Sequence, residues 1–136
     1  MKTKRAFFAA TVAGLFLLPV GTSTAEVICG KSRPIKPVHS VCGKLIDPAG
    51  GPLAGTRVKV SKDGTDLATI QTGSDGVFIF GELKPGSYEL TASFDGLKPF
   101  RSSIVVTNPA KKCKRGLTIV LALTYPDNCG SYVMKQ

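Results

Sequence analysis

Apolar and polar side chains alternate with a period of two along most of this chain, and turn-forming residues interrupt the alternation every eight to twelve residues. Successive side chains point to opposite faces only in a β-strand, so the pattern predicts a string of short, half-buried strands and leaves no helical stripe to compete. In Thr56 to Lys62 the valines Val58 and Val60 take one face, while Arg57, Lys59 and Ser61 take the other. Ser87 to Phe94 repeats this, with Tyr88, Leu90, Ala92 and Phe94 inward. Gly116 to Thr124 has Leu117, Ile119, Leu121 and Leu123 on one face, and Val120 and Ala122 make the other partly apolar too, which predicts a central strand. Val41 to Asp47, Val77 to Phe80 and Phe100 to Thr107 complete the set, with the weaker Leu67 to Thr72 as an edge. Pro48 to Pro52, Asp63-Gly64, Asp75-Gly76, Pro85-Gly86 and Asp95-Gly96 supply the turns between them. Seven short strands at this spacing predict an all-β, antiparallel-dominated, Greek-key sandwich of two sheets around one core.

The N-terminus reads differently. Lys2, Lys4 and Arg5 precede an uncharged, mostly apolar stretch over 6–20, and small residues follow over 21–25. This order predicts a secretory signal peptide over 1–25, with Ser23 and Ala25 before the cut and Glu26 as the mature start. The stretch is shorter than the ~20 residues of a spanning helix, so no membrane span is expected after cleavage. Bulky Ile28 before Cys29 argues against lipidation there. The protein is thus expected to be exported, to a periplasm or beyond the cell. Residues 26–40 carry Pro34 and Pro37 and read as an extended, polyproline-like arm. Residues 41–124 form the sandwich, and 125–136 read as a disulfide-tethered tail.

Cys29, Cys42, Cys113 and Cys129 all lie beyond the leader, and an even number in an exported chain predicts two disulfides with three alternative connectivities. Their wide spacing and the single histidine, His39, argue against zinc, and no metal or cofactor is expected. The whole chain carries a net charge of +9, and removing three basic leader residues leaves +6. Such a balance favours anionic neighbours or simple solubility. Nucleic acid is excluded as a partner by export and by the lack of aromatics interleaved with the basic residues.

The order Gly43-x-Leu45-x-Asp47, then Gly51-Pro52-Leu53-x-Gly55-x-x-Val58-x-Val60, then Asp75-Gly76-x-Phe78-x-Phe80-x-x-Leu83-x-Pro85-Gly86-x-Tyr88-x-Leu90 closely resembles the carboxypeptidase regulatory-like domains. These belong to the wider transthyretin-like and Cna-B-like group, and the resemblance spans about 41–123. One departure is Leu97 after Gly96, where these domains often carry an aromatic. The resemblance implies a first strand beside and parallel to the last. Cys42 and Cys113 would then meet at one end, which implies Cys42 with Cys113 and Cys29 with Cys129.

The resemblance is to the non-catalytic accessory domain, and one histidine cannot build a carboxypeptidase zinc site. The group also includes a hydrolase of 5-hydroxyisourate, whose site uses histidines, an arginine and a Tyr-Arg-Gly-Ser ending; here the tail reads Cys129-Gly130-Ser131-Tyr132. A Cna-B-like Lys-to-Asn crosslink from Lys44, assisted by Glu89, finds no Asn or Asp in the last strand. A serine nucleophile lacks a triad context around His39. No enzyme activity and no catalytic residue are therefore expected. The expected role is a secreted module that binds another protein or an envelope glycan. Two alternatives stand beside it: a carbohydrate-binding module using Tyr125 and Tyr132, or an anionic-polymer contact through Lys111, Lys112, Lys114 and Arg115. The bland reading of that basic loop is a solvated hairpin tip that discourages edge-to-edge aggregation. Arg33 and Lys36 would join it if the arm folds back toward that end.

Overall fold

A computed structural model describes residues 29–110, 112–125 and 129–136. The expected signal peptide over 1–25, the mature start at Glu26 and Lys111 lie outside the described residues. Eight strands are described: β1 (Cys42–Ile46), β2 (Arg57–Lys62), β3 (Thr65–Gln71), β4 (Val77–Ile79), β5 (Gly86–Ser93), β6 (Phe100–Val106), β7 (Leu117–Val120) and β8 (Tyr132–Lys135). They form two four-stranded sheets, β4-β1-β7-β8 and β3-β2-β5-β6. The first and last strands of the sequence-based expectation, β1 and β7, are parallel neighbours, with Gly43 opposite Leu117 and Ile46 opposite Val120.

Alternation builds the core as expected. Val58, Val60, Leu90, Leu45, Ile119 and Leu121 are fully buried between the sheets, with Phe78 and Phe80 edge-to-face at 6.4 Å. β7 is central in its sheet, and Val120 on its second face is buried as well. The Asp63-Gly64 hairpin joins β2 to β3 with positive φ at both residues, 51° and 77°, the mirror-image turn whose twist matches paired strands.

Four departures have local causes. The sandwich has eight strands where seven were expected, because 132–135, read as part of a tail, pairs antiparallel with β7 and buries Val133. Phe94 is 38% exposed because β5 ends at Ser93 and Phe94 opens a turn, its carbonyl accepting from the Leu97 N–H at 3.2 Å. Leu123 is exposed because β7 ends at Val120; Ala122 N–H turns to the Ser131 hydroxyl at 2.9 Å instead of extending the ladder. Ser61, expected on the wet face, is buried where the β2–β3 register shifts and Leu67 becomes the extra, solvent-facing residue.

The structure contains two disulfides, Cys42 with Cys113 and Cys29 with Cys129. The arm runs down the open side of the sandwich between β8 and β6, the edges of the two sheets. Arg33 N–H donates to the Val133 carbonyl at 3.0 Å, and Val38 exchanges bonds of 2.9 and 2.8 Å with Val105 and Thr107. Backbone groups that a sheet edge would offer to another chain are thus partly covered from within. No helix among the described residues is long and apolar enough to cross a membrane.

Candidate functional site

The arm was expected to meet the basic loop only by folding back, and in the structure it does. Arg33 is fixed by its backbone bond to β8, and Lys36 by a two-way amide clamp: its N–H donates to Gln136 Oε1 at 2.7 Å, and Gln136 Nε2 donates to its carbonyl at 3.0 Å. The loop before β7 is fixed independently. Cys113 is bonded to Cys42, the Ser40 hydroxyl donates to the Lys112 carbonyl at 3.2 Å, and Ala110 N–H donates to the His39 carbonyl at 2.8 Å. Between these two segments lies a cleft of about 290 Å³ lined by Arg33, Pro34, Lys36, Arg115 and Gln136. A small adjoining hollow is bordered by His39, Ser40, Lys114 and Arg115.

Among the described residues, neither lining contains an acidic side chain, and Arg33, Lys36, Lys114 and Arg115 take part in no ion pair. The outer face of the β3-β2-β5-β6 sheet makes the contrast. There Lys59 pairs with Asp66 at 3.1 Å and Arg101 with Glu89 at 3.7 Å, so its cations are partly neutralised internally. Like charges gathered without a counter-ion leave a positive field that an anion relieves. The basic end therefore has the stronger claim to a charged ligand.

The remaining candidates fall elsewhere. His39 Nδ1 faces the carbonyls of Thr107 and Asn108 at 2.7 and 3.2 Å, and as the donor to them it staples the end of β6 to the arm. Lys112 and Lys114 are exposed on the same loop. Tyr125 is 84% exposed, but the Tyr132 ring lies against the backbone of Gly30, where a Cβ would fall 2.0 Å from its Cζ. One free aromatic face makes a poor sugar platform. Lys44 and Glu89 stand in different sheets, Lys44 opposite Val77 and Thr118, Glu89 beside Arg101. No cluster of three metal-ligating side chains occurs among the described residues. The residues missed as site candidates are Pro34 and Gln136, for which nothing in local sequence signals a shared cleft with Arg115.

A family model described as the carboxypeptidase regulatory-like domain matches residues 40–122. Among solved structures, the chain is similar to Klebsiella pneumoniae 5-hydroxyisourate hydrolase, at 19% identity and a TM-score of 0.56, over 73% of this chain and 99% of that one. At that identity the likeness shows a shared two-sheet fold and carries no chemistry with it. No curated protein matches the chain.

Proposed function

Because the chain belongs to the carboxypeptidase regulatory-like domain family, we propose that it is an exported, non-enzymatic β-sandwich module that binds an anionic component of the cell envelope through its basic end. In this reading the leader is 1–25, the arm 26–40 and the sandwich 41–124, with 125–136 adding an edge strand. Export is supported by the leader-like N-terminus and by two disulfides, which persist in oxidising compartments. One observation carries the binding reading: the arm folds back to place Arg33 and Lys36 beside Arg115 and Lys114 with no acidic side chain between them among the described residues.

The test is an affinity capture from envelope extract by the mature, oxidised protein at about 0.1 M and about 1 M salt, where the screening length falls from about 10 to about 3 Å. Capture of an acidic polymer at low salt that is lost at high salt is expected. A protein partner that survives high salt, or no capture at either, would overturn the anionic reading. Hydrolysis of a substrate that His39→Ala abolishes would overturn the non-enzymatic one.

A further inference from the structure

We propose that the cleft between arm and loop is a discrete oxyanion site that takes a phosphate monoester borne on an envelope glycan, an inference that rests on the docking reading above. Diffuse attraction needs only charge, but this cleft brings two arginines together. Arg33 and Arg115 line it from two separately tethered segments, and a guanidinium is a planar fork suited to two oxygens of one anion. Lys36 adds a third cation, and the amide clamp from Gln136 fixes the backbone that carries it.

Charge selects among oxyanions. Three cations with no acidic side chain beside them among the described residues are better matched by a phosphate monoester, about −1.5 to −2 at neutral pH, than by a carboxylate or sulfate ester of about −1. Size selects as well. At about 290 Å³ the cleft lies just below the roughly 300–1,000 Å³ typical of ligand pockets, room for an esterified head but not for a whole oligosaccharide. Arg33, Pro34, Lys36 and Arg115 are exposed, so the rest of a polymer can run out of the cleft, and Pro34 offers an apolar surface to the carbon next to the ester.

The experiment is a calorimetric titration of the mature, oxidised protein with glucose 6-phosphate, glucose 6-sulfate, and phosphatidylcholine vesicles containing phosphatidic acid. Arg33→Lys and Arg115→Lys keep the charge and lose the fork; Arg57→Lys on the outer sheet face is the control. Glucose 6-phosphate is expected to bind at least fivefold more tightly than the sulfate, each cleft variant to weaken it at least fivefold, and the control to leave it unchanged. Equal binding by the lysine variants, or equal affinity for the sulfate, would refute a built site. Tighter binding to the vesicles would refute a glycan source. Salt-labile polymer capture without glucose 6-phosphate binding would remove this inference and leave the docking reading standing, whereas loss of both would remove the two together.

Discussion

Removing the outer disulfide with Cys29→Ser and Cys129→Ser tests whether the arm is held by a topological constraint or by its contacts. The outer bridge joins residues 100 apart and the inner one residues 71 apart, nested inside it. Taken alone, a loop of 100 residues would be worth about 4.7 kcal/mol in the chain-entropy treatment. The inner bridge already restrains the middle, so the outer one closes a ring of only 29 residues made by the segments from Cys29 to Cys42 and from Cys113 to Cys129. The same treatment then gives about 3.6 kcal/mol for its removal. For a domain of this size that lowers the melting temperature by on the order of 15 °C. The assay is equilibrium urea unfolding of wild type and variant, both with Cys42–Cys113 oxidised. A loss below about 1 kcal/mol would refute the ring-closure reasoning. It would mean that without the bridge the arm leaves its contacts with Val133, Val105 and Gln136, so that the native state regains the freedom the bridge denies the unfolded chain.

Two further outcomes follow from tightly placed groups. Thr72 accepts the Thr56 N–H at 2.9 Å and donates to the Leu53 carbonyl in a fully buried network, so Thr72→Val, close in shape, should cost about 1–3 kcal/mol by stranding the Thr56 donor; no change in the urea midpoint would contradict this. Gly43 lies where β1 meets β7 so closely that a Cβ would fall 2.1 Å from the Leu117 carbonyl oxygen, and Gly43→Ala should therefore destabilise by about 1–3 kcal/mol, checked in the same assay.

Local chemistry was enough for most of the sandwich. Val58 and Val60, Tyr88 and Leu90, Leu117 and Ile119 alternate with polar neighbours, and the period of a strand allows one inward face for each set. Asp63-Gly64 dictates a hairpin because both residues tolerate positive φ. Local pattern failed where a strand ends or slips: Phe94 continues the alternation of β5 yet falls past its end, and Ser61 is turned inward by a bulge whose position depends on the partner strand. β8 was missed because four residues carry too little periodic signal, and Val133 is buried only because β7 offers it an edge.

The candidate site divides the same way. The run around Cys113 declares its charge in sequence, since four basic residues in a row of five need no partner to be basic. That Arg33 and Lys36 share a cleft with Arg115, about eighty residues away, is decided only by the folded chain. An arm rich in proline has no strand pattern of its own, and its course is set by the free edges of β8 and β6 and by the tether at Cys129. The sequence determined the sheets, because burial period and turn chemistry are local; the tertiary structure decided the cleft, because it exists only where two distant segments are held side by side.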